Sequence, residues 1–375
     1  IPLICPSIRF KRLIIFIFPL SIIIPPGGML LIFRLFVNNF ISFCLFIEDR
    51  SISLDSAGLL PIVNGNRNLI CAVCTVNTRD NVMISTAIPV DLFFKKRPSL
   101  AATAFLALLG SSAKFDAGKP FPQITARQNG VTVNEQKLAL FNSICQISAS
   151  DNLPILYPFA FTYPLLQRIL AHREAPLSLF VVLNSRLQVK QYRAINIDEQ
   201  LDIYCSITGH RLREKGLEMD ILSQVKVSES TVWENIQTFY YRGRFGPPEE
   251  NYQPPLFQII PDAEEKARWY LPSGIGYGFS KVCGDSNPIH YWKTYARLLR
   301  FKRDFAQPLL VLENGMKYLF DANTVKAVSL DVTLKAPLYY NSNVILKYKK
   351  IDDVIRFDLY TEDNLLPCIC GKLKL

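Results

Sequence analysis

The order of helix-like and strand-like segments constrains the fold of this 375-residue chain more than any other feature. An apolar, helix-prone segment at residues 153–172 precedes five strand-like runs. A second helical segment at residues 288–301 precedes four more runs. Runs of strands that follow a helix, rather than alternating with helices, predict an α+β fold instead of a parallel sheet of βαβ units.

Two halves of similar organisation follow from this order. The first is predicted at residues 96–245 and the second at 262–375, with a proline-rich linker at 243–262 and an additional helix at 98–109. In each half an antiparallel sheet is expected to curl around one principal helix. The strand-like runs, rich in β-branched and aromatic residues, are 177–183, 187–193, 200–207, 217–227, 232–241, 327–334, 344–349, 354–360 and 368–373.

A short polar segment, Gly284-Asp285-Ser286-Asn287-Pro288-Ile289-His290, opens the second helical segment. Asn-Pro favours a turn, because proline fixes its own φ and moves the preceding residue out of the α region. The turn brings Asp285 and His290 into one small volume, where a carboxylate and an imidazole can serve as general base and general acid on a water. The alternative is that Asp285 only caps the helix and His290 is a surface residue of its first turn.

The longer segment at residues 279–290 resembles the signature of the MaoC-like dehydratases, the (R)-specific enoyl-CoA hydratases. That signature is an aromatic residue followed by Ser-Gly-Asp-x-Asn-Pro-x-His, and Cys283 stands here in place of the serine. The similarity extends to residues 152–158, 241–243 and 335–371, and it covers residues 96–375 in all.

The resemblance implies a double hot-dog, in which two antiparallel sheets each wrap around a central helix. It also implies reversible addition of water to a trans-2-enoyl-CoA, giving an (R)-3-hydroxyacyl-CoA, without a cofactor. Asp285 and His290 would be the catalytic pair, and Asn287 would orient the loop or the water. The first half has no histidine at the matching place after residues 151–154, so it would be non-catalytic and would help to shape the acyl tunnel.

One position departs from the family pattern. Relatives carry a motif ending in Ala-His-Gly-Met, whose glycine amide stabilises the enolate oxygen, whereas the register here gives Ala306-Gln307-Pro308-Leu309. Proline has no N–H, and loss of such a donor typically lowers the rate by about 10²–10³. Two alternatives stay open: the Asn314-Gly315-Met316 segment supplies the donor, or the chain is a catalytically degenerate acyl-CoA-binding or structural homologue.

Charge indicates the class of ligand. The formal net charge is +10 and the isoelectric point is about 9.1, which suits the phosphates of coenzyme A. No Lys/Arg block interleaved with aromatic residues supports a nucleic-acid partner. The predicted substrate-binding residues are Gly284, Arg300, Lys302, Arg303 and Gly315, with a solvated helix end as the alternative for the three cations. A homodimer is compatible with the sequence.

The nine cysteines do not form a zinc pattern. Cys71-x-x-Cys74 and Cys368-x-Cys370 each stand alone, whereas a structural zinc site needs four ligands at characteristic spacing. The sequence therefore predicts no metal and reduced thiols. Such thiols suit a reducing compartment such as the cytoplasm, a mitochondrion or a peroxisome.

Residues 1–95 differ from the rest of the chain. Residues 13–24 are almost wholly apolar, and residues 29–47 form a second apolar run that contains Arg34, Asn38 and Asn39. A membrane-spanning helix needs about 20 predominantly apolar residues. Three interpretations of this extension stay open: a membrane anchor through residues 13–47, a disordered segment, or sequence included through an incorrect gene start.

Overall fold

The computed structural model divides the chain into two compact units, residues 1–83 and 84–375. It describes residues 14–17, 20–23, 30–31, 45–46, 89–109, 115–117, 119–177, 179–249, 259–285, 287–321 and 327–375. Within the first unit these residues form two antiparallel pairs, β1 Ile14–Ile17 with β2 Leu20–Ile23 and β3 Leu30–Leu31 with β4 Leu45–Phe46. The rest of the predicted membrane segment at 13–47, and the Cys71-x-x-Cys74 motif, lie outside the described residues. None of the helices in the described ranges is long and apolar enough to cross a bilayer.

The second unit combines one large sheet with a small number of helices. Its strands are β5 Val90–Phe93, β6 Ile124–Val131, β7 Leu183–Gln191, β8 Leu201–Arg213, β9 Gly216–Val227, β10 Ser230–Arg242, β11 Glu264–Leu271, β12 Val328–Leu334, β13 Ser342–Ile351, β14 Val354–Thr361 and β15 Ile369–Lys374. Its helices are α1 Leu100–Leu109, α2 Glu135–Cys145, α3 Phe159–Leu170, α4 Ile275–Cys283, α5 Lys293–Leu298 and α6 Pro308–Met316, with 3₁₀ turns at Leu179–Val181 and Pro288–His290.

The sheet has an internal two-fold pattern. Its strand order is β11-β13-β14-β15-β12-β7-β10-β9-β8-β6-β5, and the described pairs are antiparallel except β5 with β6. Numbered within its own half (β6–β10 and β11–β15), each half gives the order 2-5-4-3-1 outward from the central β7–β12 pair. Each half also begins with a strand, continues through helices and ends in four strands. The predicted α+β class is confirmed.

One buried helix lies in each half. In the first half it is α3, ten of whose twelve residues are buried, and Phe159 of α3 packs edge-on against Trp233 of β10. In the second half it is α6, in which every residue except Pro308 is buried. Apolar burial on this scale is the main favourable contribution to folding, so α3 and α6 anchor the two halves of the sheet.

The predicted helix at residues 288–301 is wrong as a principal helix. A 3₁₀ turn at Pro288–His290 is separated from the short α5 by Trp292, whose φ of −129° and ψ of 99° are extended. Trp292 and Leu299 are only partly buried, while Ala296 is buried. The buried helix of this half is α6, which the sequence analysis did not predict.

Other boundaries differ in detail. The run at 177–183 contains a 3₁₀ turn rather than a strand, and strands β5, β6 and β11 and helix α2 were not predicted. The helix expected at 153–172 begins only after Pro158, although Pro164 is tolerated inside it. The composition of the chain changes at residue 95. Strand β5, at Val90–Phe93, lies before this point and is already part of the large sheet.

Candidate active site

A left-handed glycine turns the chain at the end of α4 and positions Asp285. Gly284 has φ +84°, and its N–H bonds to the Ser280 carbonyl at 2.8 Å, an arrangement that glycine adopts readily after a helix. A Cβ at this position would lie 2.9 Å from Pro164 Cγ and 3.0 Å from Arg97 Nη2. The turn therefore packs closely against α3 of the first half.

Two consecutive side-chain turns then direct the chain back on itself. The Asn287 N–H donates to Asp285 Oδ1 at 3.2 Å, and the Ile289 N–H donates to Asn287 Oδ1 at 3.2 Å. Asp and Asn side chains commonly accept such bonds from the backbone two residues ahead. Asn287 thus starts the 3₁₀ turn that ends at His290. Both turns are formed by side chains of the short polar segment itself.

Asp285 and His290 face each other in a buried position. His290 Nε2 lies 3.4 Å from Asp285 Oδ2, and the two residues are 6% and 8% exposed, respectively. His290 Nδ1 lies 3.0 Å from the carbonyl oxygen of Phe305. A carbonyl can only accept, so Nδ1 carries the proton, and in the neutral ring the Nε2 lone pair faces the carboxylate. Two acceptors that face each other in this way can both receive hydrogen bonds from one water that lies beside them.

Groups from three further segments fix the position of His290. The Tyr340 hydroxyl donates to the His290 carbonyl at 2.9 Å. Gly276 in α4 lies so close that a Cβ there would collide with this same carbonyl oxygen. Gln307, directly before α6, donates from Nε2 to the Gly276 carbonyl at 3.0 Å and to Ser280 Oγ at 2.8 Å. These two hydrogen bonds connect helix α4 to the residue that precedes α6.

Residues of the first half also lie next to the candidate site. Arg97 donates from Nη2 to the Val282 carbonyl at 2.9 Å, in the last turn of α4. A cation at the C-terminal end of a helix interacts favourably with its dipole. Tyr163, next to Pro164 in α3, is buried and accepts a bond from Gln237 Nε2 at 3.0 Å. Burial, together with the nearby charge of Asp285, raises the pKa of Tyr163 and keeps its hydroxyl protonated.

Arg97 and Tyr340 carry no signal in the sequence that points to the site. Arg97 lies 185 positions from the carbonyl that it binds, and Tyr340 lies 50 positions from His290. Neither residue belongs to a local motif that could have indicated its role. They come together only through the fold.

The predicted substrate-binding residues fall into two groups. Gly284 adjoins Asp285, and Arg300, Lys302 and Arg303 lie on the segment between α5 and α6, close in sequence to His290. Gly315 is different, because it lies in the last turn of α6, packed near the rings of Trp269. It is seven residues past the start of the helix, or roughly 10 Å along the axis. The structure therefore does not bring Gly315 to the pair, and its amide belongs to the helical ladder.

The N-terminus of α6 approaches the pair through Phe305 and Gln307. Pro308 is its first residue and has no N–H, while the Leu310 and Val311 amides point to the Gln307 carbonyl at 3.1 and 3.4 Å. Leu309 is consequently the first residue whose amide the helix can present to a ligand. Helix N-termini stabilise negative charge through such amides and the helix dipole.

The potential metal ligands and the cysteines of the described ranges do not form a cluster. These ranges contain no group of three or more His, Cys, Asp or Glu side chains able to hold a metal ion. The five described cysteines are free thiols. Cys283, at the serine position of the motif, is fully buried, and burial raises the pKa of its thiol. A neutral buried thiol behaves as a small apolar side chain.

Replacing Gly284 with alanine should destabilise the protein and lower turnover. The positive φ alone costs about 1–2 kcal/mol for a residue with a Cβ, and contact with Pro164 adds to it. Gly274 is a matched control, because it has φ +88° but open space where an alanine methyl group would lie. Urea unfolding should show a larger loss for Gly284→Ala than for Gly274→Ala. Equal losses would show that the contact with Pro164 is unimportant.

Comparison with known proteins places this geometry in context. No protein-family model matches the chain. The 3-hydroxyacyl-thioester dehydratase X of Mycobacterium tuberculosis is 22% identical over 188 residues, which are 48% of this chain and 64% of that protein. The match thus spans less than two thirds of the relative's length.

Solved structures show the same fold. The crystal structure of M. tuberculosis HtdX aligns with a TM-score of 0.58 and 19% identity, over 67% of this chain and 100% of that one. A MaoC-like dehydratase from Phytophthora capsici aligns with a TM-score of 0.57 and 16% identity, over 68% and 95%. The peroxisomal multifunctional enzyme type 2 of Drosophila melanogaster aligns with a TM-score of 0.53 and 15% identity, over 68% and 48%. The resemblance inferred from residues 279–290 is confirmed.

Proposed function

We propose that this chain, which has the fold of the MaoC-like dehydratases, adds water reversibly to a trans-2-enoyl-CoA thioester and forms an (R)-3-hydroxyacyl-CoA. The observation that carries the proposal is the Asp285–His290 pair. Its facing atoms are 3.4 Å apart, and each side chain is oriented by a backbone group through its other polar atom. Such fixed orientation is what general acid–base catalysis needs.

The pair would act on one water. Asp285 Oδ2 and His290 Nε2 both accept, so one water that lies beside the pair can donate to both. One of the two groups removes a proton as the water oxygen attacks C3 of the enoyl thioester. The pair then passes this proton from the water to C2, which completes the addition. In the reverse direction the pair takes the proton from C2 and returns it to the departing hydroxyl group.

The developing enolate needs a hydrogen-bond donor at the thioester oxygen. We assign this role to the Leu309 amide, since Pro308 cannot donate. The dipole of α6 adds a favourable field at the same point. The assignment replaces Gly315, which lies at the opposite end of α6.

The finer architecture of the proposal is the double hot-dog. The repeated strand order and the buried helices α3 and α6 support it. The first half would be non-catalytic, because its described residues offer no Asp–His pair. Helix α3 of the first half would instead form one side of the site through Tyr163 and Pro164, which lie against the Gly284–Asp285 turn.

A second candidate function is a degenerate homologue that binds an acyl-CoA without turning it over. The observation in its favour is Pro308, which removes one amide from the N-terminus of α6. Pro308→Gly restores that amide and separates the two candidates. An active wild type with little change in the variant supports the Leu309 assignment. An inactive wild type that Pro308→Gly activates supports the degenerate homologue.

The direct test is hydration of crotonyl-CoA by the full chain, followed as loss of the enoyl-thioester absorbance. Chiral analysis of the product should give the (R)-3-hydroxy isomer. A wild-type protein that binds crotonyl-CoA but forms no hydroxy product, with or without Pro308→Gly, would contradict the proposed function.

A further inference from the structure

The segment at residues 291–304 leaves the candidate site and returns to it. Tyr291 follows His290 directly, and at the other end the Phe305 carbonyl accepts from His290 Nδ1 at 3.0 Å. The Phe305 N–H also bonds to the Ile289 carbonyl at 3.4 Å. Both ends of the segment are therefore fixed at His290, and a molecule that binds to it is held at the edge of the site.

This segment is strongly cationic. Residues 291–304 contain five Lys or Arg residues and one acidic residue, Asp304. Four of these cations are exposed, namely Lys293, Arg297, Arg300 and Lys302. The fifth, Arg303, is partly buried and pairs with Asp304 at 3.2 Å. A cluster of one sign of charge raises the local concentration of anionic partners and speeds their association.

An exposed apolar residue lies within this cationic surface. Leu298, the last residue of α5, is 75% exposed and directly follows Arg297. On the same segment the rings of Trp292 and Tyr295 stack at 5.9 Å, and both side chains are partly buried. Covering a leucine of this kind on binding removes apolar surface from water and favours the complex.

We propose that Leu298 and the exposed cations around it (Lys293, Arg297, Arg300 and Lys302) form a docking surface for a small acidic protein that carries the acyl group as a thioester. The inference rests on the proposed hydration chemistry and adds a protein-borne thioester to the coenzyme A thioester as a substrate. Cations alone would suit the phosphates of coenzyme A. An exposed apolar residue flanked in sequence by exposed cations fits a protein interface, in which the charges speed association and the apolar residue contributes affinity.

Three crotonyl thioesters distinguish the contribution of Leu298 from that of the cations. One is carried on N-acetylcysteamine, one on coenzyme A and one on a small acidic acyl carrier protein. Leu298→Asp should lower kcat/KM by about tenfold or more for the protein-borne substrate, which corresponds to about 1.4 kcal/mol. It should leave the other two substrates within about twofold. Leu365→Asp is the control, because Leu365 is 97% exposed in the turn between β14 and β15.

Charge reversal provides the second arm. Arg297→Glu with Lys302→Glu should lower kcat/KM for the protein-borne substrate most, for the CoA thioester less, and for the N-acetylcysteamine thioester least, with losses that shrink at high salt. Equal losses for the protein-borne and CoA substrates, without any effect of Leu298→Asp, would identify a phosphate site and overturn the proposal.

Direct measurement of carrier-protein binding tests the docking surface independently of the hydration reaction. If the wild type hydrates none of the three thioesters, the proposed function fails, and titration of the carrier protein against wild type and Leu298→Asp still tests docking. Binding that weakens in Leu298→Asp but not in Leu365→Asp supports the docking surface. Equal binding to both variants and to wild type contradicts it.

Discussion

Asp285→Asn and His290→Gln are each expected to lower kcat for crotonyl-CoA hydration by about 10²–10⁴, because each removes one proton-transfer role. Both replacements keep the size of the side chain and some hydrogen bonding. The amide oxygen introduced by Asp285→Asn would still accept from the Asn287 N–H, so the turn that positions this side chain should survive. Steady-state kinetics should place the loss in kcat rather than in KM, since neither group is needed to bind the thioester carrier.

The two effects should not add. A pair that acts on one water loses its function when either member is removed, so the double variant should be about as slow as the slower single variant. Asp151→Asn and His172→Gln are matched controls from the first half and should keep wild-type rates. Circular dichroism and urea unfolding should show that each variant still folds. Full activity in Asp285→Asn would mean that this residue only holds the Asn287 N–H in the turn before the 3₁₀ turn.

Much of the site could be predicted from the sequence because its geometry is local. Asp285, Asn287 and His290 are placed by two side-chain turns and one proline within seven residues. Such turn chemistry depends on neighbouring residues and needs little help from the rest of the fold. The same is true of Gly284, whose positive φ ends α4.

The parts that depend on long-range packing could not be predicted. Arg97, Tyr163 and Tyr340 reach the site from other segments of the chain, and nothing in their local sequence distinguishes them. The role of Gly315 was misplaced for a related reason. A glycine followed by methionine resembles the family motif, but its place at the end of α6 is decided by where that helix begins.

Secondary structure shows a similar division. Strands β8, β9 and β10 were found because long β-branched and aromatic runs form their buried faces. The sequence does not indicate helix α6, because apolar residues 309–312 are followed by the buried Glu313 and Asn314 and no amphipathic period results, as expected for a helix buried on all sides. The predicted helix at 288–301 had a suitable period, but Trp292 takes an extended conformation and interrupts it.

Glu313 is a buried carboxyl that the proposed chemistry does not use. It lies in α6, is 4% exposed, and accepts a bond from the Leu156 amide at 2.9 Å, which links the second half to the loop before α3. Burial raises its pKa to about 7, and the bond from Leu156 opposes this rise only in part. The thiols of Cys145 and Cys283 lie close enough for the charge of Glu313 to raise their pKa values as well.

The raised pKa of Glu313 predicts a loss of stability with rising pH. The folded chain keeps the Glu313 proton up to about pH 7, whereas the unfolded chain loses it near the ordinary value of 4.5. Between these two pH values the folded state binds more protons, so the free energy of unfolding falls as pH rises. At 1.36 kcal/mol for each unit of pKa difference, the full loss is about 3 kcal/mol.

Glu313→Gln should remove this pH dependence, because the amide cannot ionise yet still accepts from the Leu156 N–H. The free energy of unfolding should be measured with urea at about pH 5, 6, 7 and 8. Across this series the value for Glu313→Gln should rise relative to that for wild type by up to about 3 kcal/mol. Glu313→Leu separates charge from hydrogen bonding. It is also uncharged, but it leaves the buried Leu156 amide without an acceptor, so it should stay about 1–3 kcal/mol below Glu313→Gln at every pH. Parallel curves for wild type and Glu313→Gln would show that Glu313 titrates alike in the folded and unfolded chain, and burial would then not control its charge.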